Sequence, residues 1–191
     1  MYRPVAASLL ALSLAGCGIN SVPTAEEAVK AQWANVQNQY QRRADLIPNL
    51  VATVKAAGAQ EKDILVQVTQ ARGAASQVRL SGEQLSDPNA AANFERAQNA
   101  VTLSLQRLQE AYPELKSQGN YTVLLSQLEG TENRISVERG KYNEAVQAYN
   151  TRIRTFPDAV GAKIFYGAKP MVPFQATTPG AETAPKVNFG A

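Results

Sequence analysis

The stretch YTVLLSQLEGTENRISVERGKYNEAVQAYNTRIRTF, residues 121–156, decides the fold. Its apolar side chains fall at Tyr121, Leu125, Leu128, Ile135, Tyr142, Val146, Tyr149, Ile153 and Phe156, a 4-3 repeat held across 36 residues. At 3.6 residues per turn, that spacing lays them along one stripe of a long helix, and only a packed neighbour can keep such a stripe dry. Two stations on the stripe, Glu132 and Arg139, are polar.

Three further segments repeat the pattern. The first is predicted to start at an N-cap on Thr24, with Glu27 completing a capping box. Its stripe runs Val29, Trp33, Val36, Tyr40, Ala44, Ile47, Val51 and Val54, and Gly58 ends or bends it. A second stripe, Ile64, Val68, Ala71, Ala75 and Val78, stops at Ser81-Gly82. Asp87 caps a third helix with Pro88 at its first position; the stripe is Phe94, Ala97, Val101, Leu105, Leu108 and Tyr112, closed by Pro113. No segment alternates Val and Ile as a strand does. Four amphipathic helices on short connections predict an all-α fold over residues 24–156, an antiparallel four-helix bundle with long first and fourth helices. A dimeric coiled coil uses the same spacing, but turns every 20 to 35 residues favour a chain folded back on itself.

The 35 residues from Pro157 onward differ in kind, with five of the chain's ten prolines. A short amphipathic helix fits residues 159–166, and after Lys169 neither helix nor central strand can persist. Met171, Val172, Phe174, Val187 and Phe189 make this tail too apolar for a solvent linker. It either straps onto the bundle or is offered to a partner.

At the other end, Val5 to Ala15 is apolar apart from Ser8 and Ser13, and Leu14-Ala15-Gly16-Cys17 follows the pattern of a bacterial lipobox. Eleven such residues make about 16 Å of helix, far short of the roughly 30 Å hydrocarbon core, so a cleaved signal fits and a membrane span does not. Residues 1–16 are expected to be removed, leaving Cys17 as a lipidated N-terminus and residues 17–23 as a short linker. Two or three acyl chains make such an attachment stable where one is marginal. The expected place is the extracytoplasmic side of a bacterial envelope. Gly18, where an aspartate would favour inner-membrane retention, points to the periplasmic face of the outer membrane in a host with two membranes.

Composition narrows the chemistry. Losing Arg3 with the leader leaves 18 basic against 16 acidic side chains, and no basic run exceeds two residues, so nucleic acid is not expected as a partner. The chain has no histidine, which removes histidine general bases, Ser-His-Asp triads and histidine metal ligands. Its one cysteine is assigned to the lipid, which removes thiolate chemistry, zinc-thiolate sites and internal disulfides. No cofactor, metal or catalytic residue is expected.

One segment breaks local rules: Gln41-Arg42-Arg43-Ala44-Asp45-Leu46-Ile47-Pro48-Asn49-Leu50. A proline inside a helix removes a backbone hydrogen bond and costs roughly 3 kcal/mol. A solvated face with a tolerated kink is the bland account. A polar cluster inside the seam is the sharper one, because violations of local consistency gather at strained or functional places. Asp45 lies 12 residues before Ala57 and Glu132 lies 12 after Asn120, which puts both about 18 Å from the same end of the bundle. Arg42 or Arg43 is therefore expected to pair with Glu129 or Glu132, and Arg134 with Asp45. Arginines beside these carboxylates favour their charged, unreactive form.

The same residues resemble a known family. Arg42-Arg43-Ala44-Asp45-Leu46-Ile47-Pro48-Asn49-Leu50-Val51, then Thr53-Val54-Lys55, is similar to the signature of the LemA family. Glu129-Gly130-Thr131-Glu132-Asn133-Arg134-Ile135, Tyr142-Asn143-Glu144, Tyr149-Asn150, Phe156-Pro157 and Pro185-Lys186-Val187-Asn188-Phe189 resemble its remaining motifs. The resemblance implies an all-α, four-helix bundle on the outer side of a bacterial membrane, and it carries over no catalytic residue. Members usually begin with an uncleaved transmembrane helix; here a lipobox stands in its place.

The resulting expectation is a non-enzymatic, lipid-anchored scaffold or adaptor for a membrane-associated protein. A second reading is a binder or weak hydrolase of cell-wall or small-molecule ligands at Arg42, Arg43, Asp45, Glu129 and Glu132. A third is an envelope-spacing homo-oligomer.

Overall fold

The computed structural model describes residues 20–58 and 61–175. The lipobox, Cys17 and the closing Pro185–Phe189 motif lie outside the described residues. Within them the chain is all-helical, with no strand. The elements are α1 (Ser21–Ala56), α2 (Lys62–Gln77), α3 (Pro88–Ala111), α4 (Gly119–Arg152) and the short α5 (Asp158–Ile164), with 3-10 turns at Gly82–Ser86 and Pro113–Ser117.

α1 packs along α4, and α2 along α3. Arg152, at the end of α4, donates to the carbonyl of Ser21, at the start of α1 (3.2 Å), so these two rods run antiparallel. At 36 residues α1 spans about 54 Å. Its start precedes the expected cap. Thr24 and Glu27 form no capping box; the Thr24 hydroxyl and amide both donate back to the Asn20 carbonyl (2.7 and 3.2 Å). Pro23 then sits in the first turn, where a missing N–H leaves no helical bond unmade. Gly58, at φ 85°, ends the helix in a conformation that side chains with a Cβ resist. Asp87 caps α3 through the Asn89 amide (2.9 Å), with Pro88 at the first helical position.

Phe156 departs from its expected station on the α4 stripe. α4 stops at Arg152, and the chain turns before α5, leaving Phe156 85% exposed. The tail then reverses and straps onto α4. The Asn150 carboxamide accepts from the Met171 amide and donates to its carbonyl, both at 2.8 Å. Asn143 does the same to Phe174 (2.8 and 3.0 Å). Seven helical residues rise about 10.5 Å and three extended residues span about 10 Å, so the two asparagines meet the strap in register.

Candidate functional site

The buried face of α1 runs Trp33, Val36, Tyr40, Arg43, Ile47, Leu50 and Val54, an unbroken alternation of three and four. Arginine occupies a core station. Arg43 is 2% exposed, and the expected station at Ala44 is only half-buried beside it.

The guanidinium is held from three helices. Nη1 donates to Thr102 Oγ1 on α3 (2.9 Å) and to Glu132 Oε1 on α4 (2.8 Å). Nη2 donates to the Gln98 carbonyl (3.2 Å) and to its carboxamide oxygen (2.5 Å). The Tyr40 ring lies 5.1 Å from the guanidinium carbon, on the same helix. A buried cation is tolerable only when so paired. Burial pushes the Tyr40 phenol above its ordinary range; Arg139 and Arg43 oppose the shift, and the Glu132 and Glu95 carboxylates add to it.

This node divides the interior. One apolar core holds Trp33, Val36, Tyr40, Phe94, Ile135 and Tyr142; the other holds Ile47, Leu50, Val101, Leu105, Leu125 and Leu128. Between them, level on three helices, lie Arg43, Gln98 and Thr131. Two clefts flank the layer and share Tyr40, Arg43 and Gln98 as a wall. One, about 480 Å³, opens between α3 and α4, where Asn99, Thr102, Glu132 and Ser136 reach it. The other, about 500 Å³, lies over α1, α2 and α3, near Arg72 and Arg79.

The proline has its own repair. Pro48 has no amide hydrogen for the carbonyl four residues earlier, that of Ala44. Arg72 Nε, from α2, donates to that carbonyl at 2.7 Å. The lost helical bond is replaced by a charged donor from the neighbouring helix.

The remaining candidates stand outside the node. Arg42, Asp45, Pro48, Asn49, Glu129, Asn133 and Arg134 are all exposed. The expected Arg134–Asp45 pair does not form; Gln41 Nε2 donates to Asp45 Oδ1 instead (2.8 Å). Two residues along a helix turn it by about 200°, so Asp45 faces away from Arg43, and Arg134 away from Glu132. Of the two arginines and two glutamates proposed to pair, Arg43 and Glu132 meet.

The charge on the α4 stripe at Arg139 has a place the sequence reading did not foresee. Its Nη2 lies 3.4 Å from Glu95 and donates to the Gln175 carbonyl (2.8 Å), and its guanidinium carbon sits 4.5 Å from the Phe174 ring centre. The Gln175 amide donates to Glu95 (3.2 Å). Arg139, Asn143 and Asn150 thus hold the strap along one face, and the strap forms one end of the α3/α4 cleft. The seven-residue spacing of the asparagines was the available signal. Gln98, Thr102 and Arg72 had none, because each is a common polar residue on a helix.

The family model for LemA matches residues 32–189. The chain belongs to the LemA family. The match spans both signature segments, so the Arg43–Glu132 node and the Pro48 repair fall inside the LemA region, as do Asn143 and Asn150. No curated protein matches the chain. Among the described LemA residues no three acidic, cysteine or histidine side chains gather as a metal site would need, and no helix is long and apolar enough to cross a membrane.

Proposed function

We propose that this LemA-family chain is a lipid-anchored envelope protein that works as a non-enzymatic scaffold or adaptor, its four long helices acting as one antiparallel bundle. The observation that carries the reading is the α3/α4 cleft beside the Arg43 node. The node is satisfied from within, which makes a rigid wall, while the cleft of about 480 Å³ next to it is open and lined by polar side chains. A fixed polar cleft suits recognition better than turnover. Glu132, which lines it, and Glu95, which meets Arg139 and Gln175 on its wall, are each engaged by an arginine, a poor arrangement for moving protons.

Removal of residues 1–16, acylation of Cys17 and exposure on the extracytoplasmic side complete this reading. α1 begins so early that three residues separate Cys17 from Ser21, which keeps the rod against the membrane.

A photo-crosslinking amino acid at Asn99, in the cleft, tests the scaffold role in intact cells. One reproducible protein adduct is expected from Asn99 and none from the exposed Val66 on α2. Absence of any adduct at Asn99 counts against the reading.

The open cleft also favours a second reading, a binder of cell-wall fragments or small polar molecules at Glu132, Thr102 and Asn99. Calorimetric titration with soluble cell-wall fragments separates the two; saturable binding lost in Thr102→Val would move the assignment to this class.

A further inference from the structure

α5 is built like a foot. Ala162 is buried in the same core as Val22, the second residue of α1, which docks α5 onto the end of the rod where α1 begins and α4 stops. At about 100° per residue, positions two before and two after Ala162 point away from that contact. Those positions are Val160 and Ile164, 51% and 69% exposed, and Phe156 and Phe165 beside them are 85% and 66% exposed. Elsewhere among the described residues the exposed large apolar side chains are single and scattered along the helices, as is ordinary. Here, with the half-exposed Tyr166, five gather within eleven residues, with Arg154, Lys163 and Lys169 exposed around them. The nearby acid, Asp158, faces Arg152 at 3.7 Å.

What covers this face follows from where the described chain starts. Asn20 stands next to Ser21, whose carbonyl is held by Arg152 at the end of α4. Cys17 lies three residues before Asn20, a reach of at most about 10 Å in extended chain. That is comparable to the roughly 5–10 Å depth at which interfacial helices bury their apolar faces. We propose that α5 and its flanks are a lipid-contacting foot: Phe156, Val160, Ile164 and Phe165 enter the headgroup–acyl boundary, and Arg154, Lys163 and Lys169 meet anionic headgroups. The proposal rests on acylation of Cys17. Its consequence is mechanical, because an acyl anchor alone leaves the rod free to swivel, whereas anchor plus foot fixes the rod's tilt and the direction the α3/α4 cleft faces.

Spin labelling of the protein as purified from cell membranes, with and without vesicles of phosphatidylethanolamine and phosphatidylglycerol, tests this. Ile164→Cys is compared with Leu103→Cys, an exposed position next to Thr102, level with the Arg43 node. Arg43 is 22 residues up α1 from Ser21, about 33 Å from the foot. Cys17 is the only native cysteine, so acylated protein takes one nitroxide per chain. Adding vesicles is expected to raise oxygen accessibility and lower nickel-chelate accessibility at 164 while leaving 103 unchanged. A label at 164 that stays as nickel-accessible as 103 overturns the foot, and that is also the result if a protein rather than lipid covers α5. Equal protection at both positions overturns it too, since the rod would then lie flat. A count of two nitroxides per chain refutes the acyl anchor itself, whatever the accessibilities.

Discussion

Arg72 donates from α2 to the carbonyl of Ala44 on α1, the carbonyl that Pro48 leaves without a helical donor. One residue near the end of the signature segment thus creates a need that a residue on another helix meets. The two substitutions should therefore be coupled. Arg72→Ala alone leaves a half-buried carbonyl unpaired and should cost about 1–2 kcal/mol. In a Pro48→Ala background the restored amide serves that carbonyl, and Arg72→Ala should cost measurably less. Urea unfolding of the four proteins in this double-mutant cycle gives the coupling directly; equal costs in both backgrounds would mean the contact does not matter.

Arg43 makes a sharper case. Arg43→Ala strands Gln98, Thr102 and Glu132 around a cavity and should destabilise by about 3–5 kcal/mol. Glu132→Gln keeps an acceptor for Nη1 but takes the counter-charge from a guanidinium whose side chain is 3% exposed, so it should cost about 1–3 kcal/mol. Arg43→Leu extends the apolar stripe and should recover much of the loss seen with alanine. If Arg43→Ala unfolded at the same temperature as the native chain, the node would have no structural weight.

These two relationships mark how far the sequence could be read. Burial is written in apolar periodicity, so the 4-3 spacing of Tyr121 to Tyr149 and of Trp33 to Val54 was enough for the long helices. The level of Glu132 against the middle of α1 followed from rise per residue alone. Arg43 was harder. A count of apolar residues passes over it to Ala44, although the alternation of three and four from Tyr40 to Ile47 lands on Arg43. The register was legible; the willingness of a core to hold an arginine was not, because that depends on Gln98 and Thr102, more than 50 residues away in sequence. Arg72 was invisible for the same reason. Helix ends were the weakest point. Thr24 has the chemistry of a cap, yet α1 starts earlier, since Pro23 fits a first turn and Val22 is buried against the core shared with Ala162.

The strap offers a local test. Asn143 and Asn150 each make two hydrogen bonds to strap backbone, which at about 1 kcal/mol apiece is roughly 2 kcal/mol per asparagine. In the native protein the Met171 and Phe174 amides should exchange slowly with solvent. Asn143→Ala should speed exchange at Phe174 more than at Met171, and Asn150→Ala the reverse. Asn143→Asp keeps the acceptor for the Phe174 amide but loses the donor to its carbonyl, so it should fall between. Hydrogen-exchange mass spectrometry resolves these peptides, and uniform exchange across all variants would show that the asparagines do not hold the strap.

Tyrosine ionisation is expected to set the alkaline limit of the fold. Burial raises the phenols of Tyr40, Tyr121, Tyr142 and Tyr149 above their ordinary range, Tyr142 most clearly. The folded state therefore keeps its protons where the unfolded chain releases them. A raised folded pKa gives stability that is complete below the unfolded value, near pH 10, and is lost as pH climbs above it. Thermal unfolding followed by circular dichroism should thus be flat through neutral pH, where the absence of histidine removes the usual titrating group, and fall steeply beyond about pH 10. Tyr142→Phe removes the hydroxyl that donates to the Val172 carbonyl (3.1 Å), so it should be less stable at neutral pH. It also removes one group that resists ionising in the folded state, so its melting temperature should decline less steeply above pH 10 than that of the native chain. Parallel declines would show that Tyr142 ionises as readily folded as unfolded, and that the fold's alkaline sensitivity lies with the other three.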